Sequence, residues 1–196
     1  MTFSTAARNA MLDANGTTHT SLHSAYSSSG ANELSGGSPA YARKATSYAA
    51  ASGASKAAST QPVFDVPAGS TVRFIGRWTA ITAGTFLGME ANGGSENEFS
   101  VDLTADTVKV PAHGYAADDK IVFYGGSVPG GLVEGTVYFV RNPATDTFQV
   151  GATAGGAAIN LTSEPGIACV VTKIVEEAFG AQGTMTLNSN VLKLDA

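Results

Sequence analysis

Cysteine is nearly absent. The 196-residue chain carries one, Cys169, in the apolar run Ile167-Ala168-Cys169-Val170-Val171. A single cysteine excludes an intrachain disulfide framework. With no basic neighbour to lower its pKa, the thiol reads as a small buried hydrophobe on a strand, not a reactive group. Charge is scarce too. Lys, Arg, Asp and Glu make up 14% of the residues, against about 25% in ordinary globular chains. A net charge of −5 removes the basic footprint that nucleic-acid binding requires. So little charge suits a surface partly covered by neighbours. No apolar run approaches the ~20 residues of a membrane-spanning helix. The opening MTFSTAARNAML lacks the basic segment and apolar core of a secretory signal. The expectation is synthesis in a cytoplasm, with no membrane and no nucleic acid as partner.

Catalytic patterns are missing as well. The chain has no G-x-S-x-G and no H-E-x-x-H, the spacings that build a nucleophile elbow or a zinc protease. His19 and His23 would share a face of a strand but stand about 13 Å apart there, too far for one metal ion. His113-Gly114 reads as a turn. Asp118-Asp119 lacks the alternating oxygen donors of a calcium loop and reads as a turn former. Gly125-Gly126 and Gly155-Gly156 do not lead into helices, so they are not phosphate cradles. No cofactor, no metal and no enzymatic activity are expected.

What the chain does have is β pattern and turn residues. Residues 4–15 predict one short helix, with Ser4 or Thr5 as N-cap. Ala7, Ala10, Met11 and Ala14 share one face by three-four spacing, and Asn15-Gly16 would supply a left-handed stop. Residues 17–25 alternate as a strand. Residues 27–40 read as a surface loop. Residues 41–61 read as strand, loop, strand. Pro62 opens a strongly β region: Val63 to Val66, a turn at 67–70, then a single strand 71–78 with Val72, Phe74, Gly76 and Trp78 on one face. A further strand covers 85–89. After the polar join ANGGSENE, strands are expected at 99–103, 107–110, 120–124, 136–141, 147–151 and 167–173. A second join spans 174–181, and two strands close the chain.

This order reads as an insertion. The outer domain comprises residues 1–92 plus 175–196, and the inserted domain residues 97–173. Both joins are glycine- and glutamate-bearing, the composition of a loop tip that tolerates an insert. Phe74, Trp78, Phe86, Phe123, Tyr138 and Phe148 sit in strand patterns and are core candidates. Tyr26, Tyr41, Tyr48 and Tyr124 are candidates for an exposed partner interface, where a ring with a polar tip is favoured.

Three stretches carry a family resemblance. They are TAARNAMLDA; GANELSGGSPAYARKATSYAAAS, followed by TQPVFDVPAGSTVRFIGRWTAITAGTFLG; and FGAQGTMTLNSNVLKLDA at the end. Together they resemble small virion structural proteins of tailed bacteriophages, of the tail-fibre, head-fibre or capsid-decoration type. In such relatives TFLG runs almost directly into FGAQGT; here a long stretch intervenes, itself similar to a β-module that recurs in phage structural proteins. The resemblance implies an all-β fold: a jelly-roll-like β-sandwich with a short N-terminal helix and an inserted small β-barrel or Ig-like domain. It implies a homotrimer located in the virion, bound to capsid or tail proteins, that decorates the capsid or forms a fibre-type projection. The alternative is a tail-tip adhesion module for a host receptor or surface glycan. The motifs are turn and packing motifs, and no functional residue is carried over from them.

Overall fold

The computed structural model describes residues 3–194. The fold is all-β with one short helix. The chain folds into two compact units: Met1–Met89 with Glu177–Ala196, and Glu90–Glu176. It crosses from one to the other between Met89 and Glu90 and returns between Glu176 and Glu177. Of the joins expected at 91–98 and 174–181, the first therefore lies inside the second unit, and the second is divided between the units after Glu176.

In the first unit, α1 (Thr5–Ala14) starts where Ser4 Oγ accepts the Ala7 N–H at 3.2 Å, which satisfies one of the free donors of a helix start. The face shared by Ala7, Ala10, Met11 and Ala14 is not the one that docks. Ala10, Met11 and Ala14 are exposed, and the buried residue is Leu12. Polar contacts select this face: Asn9 Oδ1 accepts from Ala54 N, Asp13 Oδ1 accepts from Ala51 N, and Arg8 Nη1 donates to the Leu194 carbonyl. Alanines offer too little area to compete. The left-handed stop is also corrected: Asn15 is extended (φ −62°, ψ 120°), and its side chain instead accepts from the backbone N–H and hydroxyl of Thr17.

Strands β1 (His19–His23), β2 (Lys44–Ala45), β6 (Phe74–Trp78) and β7 (Phe86–Ala91) form a sheet in the order β2-β1-β6-β7. All five residues of β6 are buried, so both faces of the sheet are covered. The single strand expected over 71–78 is split at Arg73. Up to Val72 the chain belongs to β5 (Ser70–Val72), and from Phe74 it pairs with β1. At the corner Arg73 N donates to His23 O and its guanidinium to Ser24 O. The corner also shifts the alternation. Val72 packs with Ile75 and Leu22 against Phe64, Val66, Met185 and Leu187, not on the face of Phe74 and Trp78.

The remaining strands of this unit make one long ribbon. β5, β4 (Val63–Val66) and β3 (Ser55–Ala57) pair antiparallel with β14 (Glu177–Phe179), β15 (Gly183–Thr186) and β16 (Val191–Lys193). Partner numbers total 249 in the first two ladders and 248 in the third, so the register holds across the turns and slips once, by a single residue. Residues 177–193 thus retrace 55–72 in reverse. β14 lies where a join was expected.

The second unit is one six-stranded antiparallel sheet, in the order β13-β10-β11-β12-β9-β8. Its strands are β8 (Ser100–Asp102), β9 (Thr107–Lys109), β10 (Lys120–Tyr124), β11 (Val137–Arg141), β12 (Thr147–Gly151) and β13 (Val170–Lys173). The sheet curls until its edges meet. Asn97, just before β8, exchanges two 3.0 Å backbone hydrogen bonds with Val171 of β13. Closure removes the exposed edges that invite aggregation and makes this unit a small barrel. Alternate residues fill it: Val108, Ile121, Phe123, Val140, Phe148 and Val150 are all 0% exposed.

Candidate functional site

The four tyrosines are each engaged separately. Tyr124 is a correction: it is buried at 3% exposure. Its hydroxyl donates to Glu96 Oε1 at 2.8 Å and accepts from Ala91 N at 3.3 Å. Tyr124 is not part of the barrel core that Ile121 and Phe123 of the same strand enter, yet it is withdrawn from solvent, its hydroxyl held between the exposed Glu96 carboxylate and the Ala91 N–H. Burial pushes its phenol above the ordinary range. Tyr41 is half-buried and stacks on Phe64; its hydroxyl accepts from Leu22 N at 2.7 Å and donates to Glu33. Its phenol is also raised, by burial. Tyr26 is half-buried and edge-on to Phe74. Tyr48 is half-buried, with Lys56 Nζ 6.0 Å from its ring centre.

The histidines divide. His19 is half-buried. His23 is fully buried on the same strand face, with Nε2 2.7 Å from Ser21 Oγ and Nδ1 2.8 Å from the Ala31 carbonyl. The carbonyl requires Nδ1–H, so Nε2 accepts from the Ser21 hydroxyl, which in turn accepts from Trp78 Nε1 at 2.8 Å. Burial, the largest influence, holds the imidazole below its usual pKa and keeps it neutral. Ser21 is 0% exposed, so this Ser–His pair cannot reach a substrate. It ties loop 24–34 to the sheet. Beside it the Arg43 guanidinium lies 3.3 Å from the Trp78 ring centre and forks onto both Glu33 oxygens.

Asp118 and Asp119 serve as turn residues. Asp118 Oδ1 accepts from Gly155 N and Arg141 Nη1, and these contacts hold its carboxyl below the usual range. Asp119 Oδ2 accepts from Ala116 N and Lys173 Nζ. Cys169 is buried, and burial pushes its thiol up to about 11, which leaves it a poor nucleophile. Among the described residues no group of three or more His, Cys, Asp or Glu is placed to hold a metal ion, and no helix is long and apolar enough to cross a membrane.

A site that sequence reading missed lies on the second unit. Every neighbouring pair in the barrel is antiparallel. Hence β8, β10 and β12 run one way and β9, β11 and β13 the other. The connections 103–106, 125–136 and 152–169 fall at one pole. The connections 110–119 and 142–146, the chain's entry and its exit, fall at the other. Entry and exit are clasped there: the Asn92 carbonyl accepts from Val175 N, and the Asn92 amide donates to the Val175 carbonyl, both at 2.8 Å.

The far pole carries apolar tips. The large hydrophobics exposed in this unit are Leu103 (41%), Val133 (63%), Ile167 (99%) and Val175 (45%). The first three lie at the far pole, one in each connection; the fourth is on the exit segment. The three connections are stapled to one another. Asp106 Oδ1 accepts from Leu161 N, Thr162 N donates to the Gly130 carbonyl, and Gly166 N donates to the Ser127 carbonyl. At Gly131 (φ +96°) a β-carbon would strike the Asn160 carbonyl, so only glycine lets these two loops approach so closely. No protein-family model, curated protein or solved structure matches this chain.

Proposed function

We propose that the chain is a non-enzymatic structural protein of a tailed-phage virion. The first unit is the assembly and anchoring platform, forming a homotrimer on capsid or tail proteins, and the second is the displayed module. The platform takes the jelly-roll-like sandwich form that the resemblance implies. The observation that carries this reading is the clasp at Asn92 and Val175. Within the barrel, entry and exit are clasped at one pole and the exposed apolar tips lie at the other, an asymmetry that suits a decorating or fibre-type projection. The alternative is a tail-tip adhesion module for a host receptor or surface glycan; of the two, a receptor is the one suited to the far pole, where Val133 and Ile167 stand exposed.

Immunogold electron microscopy of the particles, with an antibody to residues 97–173, tests the reading. Label spread over the head supports capsid decoration; label at the tail end supports a fibre or adhesion role. Particles free of label overturn it. Sedimentation equilibrium of the purified chain at three times the monomer mass supports the trimer, and a monomer at all concentrations removes it.

A further inference from the structure

The two poles of the barrel differ in the make-up of their charge as well as in apolar exposure: the near pole mixes seven carboxylates with four bases, and the far pole has four carboxylates alone. The second unit holds four basic residues, Lys109, Lys120, Arg141 and Lys173. Each ends or begins its strand at the near pole, beside the entry and exit. Three of them are paired there: Lys120 with Glu176, Arg141 with Asp118, and Lys173 with Asp119. The far pole has carboxylates and no base. Asp102 closes β8, Asp106 lies in the first connection, Glu134 follows exposed Val133, and Glu164 precedes exposed Ile167. Asp102, Asp106 and Glu134 accept backbone N–H bonds, which order the loops and leave the negative charge in place.

We infer that the far pole of the second unit is a docking surface for a protein partner that offers an apolar contact bordered by lysine or arginine. The inference rests on the reading of this unit as the displayed module. Leu103, Val133 and Ile167 supply the apolar contact. Their loops are already held together, so little ordering entropy is lost on binding. The flanking carboxylates, with no base among them to pair with, supply local complementarity to a cationic partner. The same chemistry excludes other occupants. Connections 103–106, 125–136 and 152–169 contain no Phe, Tyr or Trp, so a sugar finds no ring to stack on. Four carboxylates without a base repel phosphates of nucleic acid and of anionic lipid, and they repel the same pole of a second copy.

The test uses the full chain, isotope-labelled, followed by amide chemical shifts during titration with short peptides. A Lys/Leu peptide carries both features, a Lys/Ser peptide charge alone, and a Glu/Leu peptide the apolar contact with the wrong charge. The expected result is binding of Lys/Leu only, with shifts confined to the three far-pole connections. Affinity should fall at least tenfold in the Val133→Asp, Ile167→Asp double variant, whose folded spectrum elsewhere stays unchanged, and should fall with added salt. Equal binding of Lys/Ser, shifts at the near pole, or a preference for phosphatidylcholine vesicles over Lys/Leu would each overturn the inference. These outcomes are independent of the immunogold result: an unlabelled particle removes the virion reading without touching the peptide titration.

Discussion

The first unit holds seven Lys or Arg against five Asp or Glu, a net of +2; the second holds four against eleven, a net of −7. The use of charge differs more than the count. In the first unit cations are construction parts. Arg43 bridges Trp78 and Glu33, Arg77 is 8% exposed with Nη2 on Asn190 Oδ1, and Arg8 caps a carbonyl. In the second, an aliphatic and aromatic barrel stands without buried charge, and ionic groups are sorted to its poles. A unit whose core is polar in places is specified by hydrogen-bond geometry; one whose core is apolar leaves its surface free to carry a field.

The comparison can be broken by substitution. Phe148 is 0% exposed and packs against the rings of His113 and Tyr115 at 5.1 and 5.4 Å. Phe148→Ala should cost about 3–5 kcal/mol, and in urea titrations it should shift unfolding of the second unit while leaving first-unit signals in place. In the first unit, Gly76→Ala places a β-carbon 2.5 Å from His23 Nε2 and against Ser21 Oγ. The expected loss is about 1–3 kcal/mol, read from the intrinsic fluorescence of Trp78. Arg43→Lys keeps the charge but loses the fork and the stacked plane, at about 1–2 kcal/mol.

His23 gives the first unit a pH dependence. Its folded pKa lies below the unfolded value near 6.5, so between the two the unfolded chain binds more protons. The stability is complete above that value and declines as pH falls below it. His23→Gln should flatten this part of the profile in denaturation midpoints collected from pH 8 to 5. The smallest effect belongs to the far pole. Ile167→Asp should change stability by no more than about 0.5 kcal/mol, because a side chain 99% exposed has nothing to lose on folding. A larger loss would show that Ile167 serves the fold.

The barrel strands were legible because each is a short β-branched or aromatic run between Gly, Pro, Asn or Asp turns; 120–124 and 147–151 match to the residue. The helix existed in the pattern, but its docking face did not, since alanine spacing marks a face that only tertiary hydrogen bonds can overrule. The break at Arg73 was hidden because the strand signal runs through it and only the change of partner from β14 to β1 bends the chain. Tyr124 was misread for a related reason: Glu96, the acceptor of its hydroxyl, is 28 residues distant. The far pole follows from strand order alone. Once six antiparallel strands are placed, alternation sends every second connection to one end, and Leu103, Val133 and Ile167 fall there together.

The long ribbon also orders events in time. Strands β3 to β5 are synthesised early, yet their partners β14 to β16 leave the ribosome only after the whole barrel has done so. Pairings between residues 55–72 and 177–193 close loops of roughly a hundred residues or more, a slow step by loop-closure entropy. The barrel's ladders are local to the segment 97–173 and can form as soon as it emerges. The first unit therefore begins first and finishes last, with the strand edges of β3, β4 and β5 open in the interval. A nascent chain halted before residue 177 would carry a folded barrel on an incomplete platform.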